Sequence, residues 1–147
     1  MKTLLMDVSM WNLFIGGANV SPRRVSSYCY AQLRDVVLGD SVKSIGESAF
    51  LRCTSLQEIT IPYGITSIEA SAFRGCSGLT SVTIPESVTT IGNEAFSSCT
   101  GLNNIIIPES IKSIGYSAFS GCSNIKYISI PGSLETISRS TFEDCSS

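Results

Sequence analysis

The chain repeats itself every 23 residues. Isoleucine returns at Ile45, Ile68, Ile91, Ile114 and Ile137, and phenylalanine at Phe50, Phe73, Phe96, Phe119 and Phe142. Cysteine returns at Cys53, Cys76, Cys99, Cys122 and Cys145, and proline at Pro62, Pro85, Pro108 and Pro131. Every step is 23, without insertion or deletion. A fixed period in the range of about 20 to 50 residues marks a chain built from stacked copies of one supersecondary unit. Each copy leans on its neighbours because it cannot bury its own apolar face.

One unit, residues 56–78, begins with Leu56, Ile59 and Ile61, the last two at period 2. That alternation predicts a short strand with every second residue turned inward. Pro62 ends it, since proline cannot donate to a ladder. Ile65 and Ile68 predict a second inward-facing segment, extended and on the opposite wall. Ala72 and Phe73 lie in a polar stretch read as a helical or 3₁₀ turn, and Cys76 closes the unit before the chain turns toward Leu79. Stacking pairs the strands of successive units. The expected architecture is a right-handed solenoid with a parallel sheet along one wall and the large apolar residues inside.

The pattern fades toward the N-terminus. Leu33, Val36 and Leu38 match Leu56, Ile59 and Ile61, but Gly39 replaces the proline. One step earlier Met10, Leu13, Ile15 and Gly16 still fit, after which Arg23 and Ser27 break the match. Residues 1–32 are therefore read as degenerate repeats forming an N-terminal cap, and 33–147 as five units, the last incomplete. The chain stops two residues past Cys145 with no polar cap, so the last unit is left open or the protein continues.

The string SVTTIGNEAFSSCTGLNNIIIPESI resembles the BspA-like leucine-rich repeats of bacterial and protist surface proteins. The I-P step, the V-x-x-I-G pair, the A-F dipeptide and the cysteine carry the resemblance across residues 33–147. It implies a cell-surface or secreted protein that works by adhesion and host or matrix binding, and it brings no catalytic motif. Better-known leucine-rich repeats carry an asparagine where this chain has Gly64, Ser87, Ser110 and Ser133, so no buried asparagine ladder is expected.

Composition narrows the function further. Charged residues are 15% and the net charge is −2, so the basic footprint of a nucleic-acid binder is missing. Serine and threonine supply much of the polarity, which suits an exported surface. Asp7, Ser9 and Asn12 interrupt the apolar run that a signal peptide would need, and no run is long enough for a membrane helix. The chain has no histidine, which removes the usual triads and the commonest general base. No phosphate-binding glycine loop is present, and Gly46, Gly92 and Gly115 are read as tight-turn residues. No enzyme activity, cofactor or metal is expected.

Five of the six cysteines fall on the repeat, so they should stack at about the 4.8 Å strand spacing. Parallel Cα–Cβ vectors then hold the Cβ atoms farther apart than the roughly 3.8 Å of a disulfide. A buried column of thiols is favoured over disulfides and over a metal site, and off-register Cys29 is the candidate reactive thiol. Glu86 and Glu109 follow prolines one repeat apart and read as a solvated turn rather than an acid/base or calcium pair. Asn19-Val20-Ser21 is a glycosylation sequon that matters only in a eukaryotic secretory route.

The strand positions that point outward vary where the inward ones hold. They are Asp35 and Val37, Glu58 and Thr60, Ser81 and Thr83, Asn104 and Ile106, Tyr127 and Ser129. This array is the candidate surface for a protein or glycan partner, with Ile106 and Tyr127 as anchors. The alternative is a structural or assembly module that self-associates, as a homodimer, through the open C-terminal end.

Overall fold

The structure, a computed structural model, describes residues 3–6, 34–40, 42 and 44–145. Among the described residues nine short strands follow one another: β1 (Thr3–Met6), β2 (Asp35–Leu38), β3 (Glu58–Thr60), β4 (Ser67–Ile68), β5 (Ser81–Thr83), β6 (Thr90–Ile91), β7 (Asn104–Ile106), β8 (Ser113–Ile114) and β9 (Tyr127–Ser129). All pairings are parallel, and from β2 onward each register advances by one repeat, as in Ile59↔Val82 and Ile91↔Ile114. The strand wall consists of β1-β2-β3-β5 and β7-β9, and the opposite wall of β4-β6-β8. The extended segment predicted at Ile65–Ile68 is thus a real second sheet.

The strand beside β2 is Thr3–Met6, with Thr3 opposite Asp35. Its offset from β2 is larger than one repeat, so the 23-residue register does not set this pairing. Met10, Leu13 and Ile15, expected one repeat upstream of β2, lie outside the described residues.

The alternating pattern works as predicted. Ile59, Val82 and Ile105 are buried between exposed neighbours on β3, β5 and β7. Each corner is closed by an i→i+3 bond onto the proline carbonyl, from Ile65, Val88, Ile111 and Leu134 at 3.0–3.3 Å. The phenylalanine rings stack face to face with centroids 5.1, 5.2, 5.3 and 5.7 Å apart. That spacing is the strand repeat transmitted to the core, and it lies within the offset-stacked range.

Two local expectations change. The Ala72–Phe73 segment is a run of turns, not helical or 3₁₀ structure. The N–H groups of Ala72, Arg74 and Cys76 bond three residues back, to Glu69, Ser71 and Phe73, as a turn requires. Those of Ser71, Phe73 and Gly75 instead cross to the carbonyls of Asn93, Ala95 and Ser97 in the next unit. Alternate amides are thereby taken out of any helix, and positive φ at Ser71 and Gly75 keeps the chain from continuing one. Gly92 does open a turn, its carbonyl accepting from the Ala95 N–H at 3.3 Å, but the turn backbone is not what requires glycine at Gly92 or Gly115. Their φ is not positive, and a Cβ would sit 2.7 Å from Ala70 N and 2.4 Å from Asn93 N, so glycine allows the units to close up there.

Candidate recognition surface

The strand wall presents Glu58 and Thr60, Ser81 and Thr83, Asn104 and Ile106, and Tyr127 as exposed side chains, while Ser129 is half-buried. Asp35 and Val37 lie opposite Glu58 and Thr60 in register, but their side chains are outside the described set. Asn104 is the cross-strand neighbour of Tyr127, and Ile106 that of Ser129. Ile106 and Tyr127 are therefore diagonal on one face, and they are 69% and 62% exposed. Most of the remaining array is hydroxyl and amide.

The wall is interrupted once. Strand pairing runs through β5 and resumes at β7-β9, but is not continued from β5 to β7. At this step the Asn103 N–H reaches the Thr80 carbonyl at 3.4 Å. The equivalent bonds from Gln57, Thr80 and Lys126 measure 2.8, 2.9 and 2.8 Å. Val82 and Ile84, facing the interruption, are 8% and 7% exposed, against 1% and 2% for Ile105 and Ile107 one unit on. The opposite wall stays closed, with Thr90 paired to Ser113 and the Lys112 N–H on the Thr89 carbonyl at 2.8 Å.

The cysteines divide in a way the spacing argument did not foresee. Cys76, Cys99, Cys122 and Cys145 are free, the first three buried and the last partly so. Cys53, expected to be a reduced member of the same column, is disulfide-bonded. The geometric bar applies between column members, and four of those are free, so it does not protect the first member from a cysteine elsewhere. Cys29 lies outside the described residues. Each free thiol donates to the carbonyl of a phenylalanine in the preceding unit: Cys76 to Phe50, Cys99 to Phe73, Cys122 to Phe96 and Cys145 to Phe119, at 3.0–3.1 Å. Burial pushes the Cys76 and Cys122 thiols up to about 12 and Cys99 well above the ordinary range. These are protonated packing residues, not nucleophiles.

Sequence reasoning missed two features. The serine column at the asparagine position does bond between units. Ser87 Oγ accepts from Gly64 N at 3.2 Å, and Ser110 and Ser133 donate to the carbonyls of Val88 and Ile111 at 2.6 and 3.2 Å. On the turn wall, Arg74 pairs with Glu94, whose Oε1 accepts from Tyr116 Oη at 3.1 Å. That hydrogen bond raises the Tyr116 pKa. These three residues are 20 and 22 apart, just short of the period, so an in-register search skips them.

Glu86 and Glu109 are exposed, and Glu86 accepts from the Ser110 N–H at 3.2 Å, which makes it part of the turn rather than half of a carboxylate pair. Among the described residues no group of three potential metal ligands occurs, and no helix is long and apolar enough to cross a membrane. The sequon at Asn19 is outside the described residues.

A leucine-rich repeat protein of Bacteroides ovatus is 36% identical over 77% of this chain and 29% of its own length, with a TM-score of 0.73. A Treponema (T. pallidum) leucine-rich repeat protein is 30% identical over 75% of this chain and 54% of its own, with a TM-score of 0.72. The pneumococcal vaccine antigen PcpA, at 20% identity and a TM-score of 0.69, shares the fold. The chain thus spans between about a third and a half of the first two proteins. No curated protein sequence matches it. The profile of the BspA type leucine rich repeat region matches residues 24–147 in six copies. With that match over most of its length, the chain belongs to the BspA-type leucine-rich repeat family.

Proposed function

We propose that this chain is a recognition module that holds a protein or glycan partner on the outward face of its strand wall, at a cell surface or in a secreted protein. One observation carries the reading. Inward positions repeat the same residue types from unit to unit, while the outward ones change and include two large, exposed, adjacent apolar side chains, Ile106 and Tyr127. Repeat proteins of this kind separate a fixed core from a variable binding surface. The location draws on the disulfide at Cys53, because disulfides persist in oxidising compartments. It also draws on the family, which generally comprises interaction and surface proteins.

The test is the double change Ile106→Ser and Tyr127→Ser against a partner captured from a protein and glycan screen. Both side chains are exposed, so the thermal midpoint should stay within a few degrees of the parent. Binding should weaken at least tenfold, which corresponds to about 1.4 kcal/mol. Lys112 and Ser113, exposed on the opposite wall, should be replaceable without effect. Full binding by the wall variant, together with loss on changing Lys112 or Glu86, would move the surface elsewhere.

A second reading is self-association through apolar residues of the last described unit. Ile130 and Ile137 hold ladder positions that are buried in earlier units, yet they are 43% and 51% exposed. A dimer whose mass is independent of concentration, lost on Ile137→Ser, would support assembly. A monomer at all concentrations would remove it.

A further inference from the structure

The interruption of the strand wall and the chemistry around it narrow the partner class. On β5, β7 and β9 the outward side chains are Ser81, Thr83, Asn104, Ile106, Tyr127 and Ser129, without a charge among them. The neighbouring charges, Glu58 on β3 and Lys126 beside Tyr127, flank this patch rather than enter it. A partner that fits an uncharged field of hydroxyls and amides is itself uncharged and rich in hydrogen-bonding groups. It also has an apolar face for the one ring and the one aliphatic chain. The ring face of tyrosine carries negative quadrupole potential, so it attracts weakly positive C–H groups. A pyranose has such a C–H face, edged by hydroxyls that are both donors and acceptors.

Size points the same way. A stable protein–protein interface takes on the order of 20 to 30 residues and about 800 Å² from each side. The uncharged patch offers far less, which suits a slender chain. An extended peptide added as a strand is excluded by spacing. Inserting one between β5 and β7 would drive them to about twice the 4.8 Å strand separation. The opposite wall and the Phe96–Phe119 stack at 5.3 Å hold the same two units together. The main-chain groups at this step are not joined in a strand ladder.

We propose that the partner is an uncharged oligosaccharide lying across the break between β5 and β7, with Tyr127 under one sugar ring and Ser81, Thr83 and Asn104 bonding to its hydroxyls. The proposal rests on the strand-wall reading above and narrows it to one ligand class. The test titrates the full chain with uncharged gluco-, manno-, galacto- and xylo-hexasaccharides, using ligand-observed NMR and calorimetry. At least one should bind at millimolar concentration or better. Tyr127→Ala and Asn104→Ala should each weaken it at least tenfold, and Lys112→Ala should leave it unchanged. Binding should persist in high salt, since exposed charge pairs are screened and an uncharged ligand makes none. Absence of binding by all four sugars, indifference to Tyr127→Ala, or loss in salt would each overturn the proposal. A captured protein partner that is lost in the Ile106/Tyr127 double variant, with no sugar binding, would sink the glycan assignment and leave the wall reading standing. Sugar binding that ignores every wall substitution would sink both.

Discussion

A cysteine in this chain is set by its place in the stack rather than by its neighbours in sequence. Cys99 has a unit on either side, donates a hydrogen bond to the Phe73 carbonyl and is fully buried, so its thiolate is disfavoured most strongly. A thiol whose pKa rises on folding keeps its proton where the unfolded chain loses it. Its contribution is therefore complete below the ordinary thiol value of about 8.5 and is lost as pH climbs toward the folded value. With Cys76 and Cys122 at about 12, the urea midpoint should fall steadily between pH 9 and 12. Each thiol engaged in this way contributes a slope of about 1.4 kcal/mol per pH unit. Cys99→Ala should flatten that slope, and an unchanged slope would mean that the column does not govern it. Alkylation of the folded chain should reach partly buried Cys145 first, and Cys76, Cys99 and Cys122 only on unfolding. Non-reducing peptide mapping should recover the Cys53 peptide in a disulfide-linked pair that reduction releases. Period alone shows that the column is buried. It does not show the disulfide at Cys53.

Among elements, the stacked phenylalanines carry the most apolar area per unit. Phe96 is fully buried between Phe73 and Phe119, whereas Phe142 stacks on one ring and keeps part of its surface in solvent. Phe96→Ala should cost about 3–5 kcal/mol, the range for a buried phenylalanine. Phe142→Ala should cost clearly less in the same denaturant titration. Equal losses would mean that something covers the last unit in solution. Both sheets were legible because strand alternation and proline stops act within a few residues. The turn wall was not, because half of its amides bond to residues a whole unit away. Ser71 N–H to Asn93 O leaves no mark in the local sequence, whose polar stretch around Ala72 and Phe73 suggests a helix. The serine column was hidden for the same reason. Its bonds join positions 22 and 23 apart, and a serine by itself signals nothing.

For the whole molecule, the strict period means that one unit is interchangeable with the next. Deleting residues 79–101 joins Gly78 to Leu102 and preserves every ladder, so the product should fold to the same type of spectrum with a lower midpoint. Its denaturant m-value should drop by about a sixth, the share of 147 residues that one unit represents, since m follows the surface exposed on unfolding. A deletion of similar length out of step, such as 79–98, should not fold cooperatively. Equal behaviour of the two would refute the stacked-unit account. The candidate site was legible only as an array. Outward positions followed from alternation, but the break between β5 and β7 lies between two units, and no single unit encodes it. The turn wall has one more property. Its crossing bonds all run one way, from Ser48, Phe50 and Arg52 to Ala70, Ala72 and Arg74, and again from Ser71, Phe73 and Gly75 to Asn93, Ala95 and Ser97. The peptide dipoles in these three files add head to tail, as they do along a helix. The turn wall is therefore electrically polar along the solenoid axis. Each described unit turns the N–H groups of this wall toward the following unit and carbonyls toward the preceding one. Whatever extends this wall past Asp144 has to bring acceptors, and two such ends placed face to face would meet donor against donor.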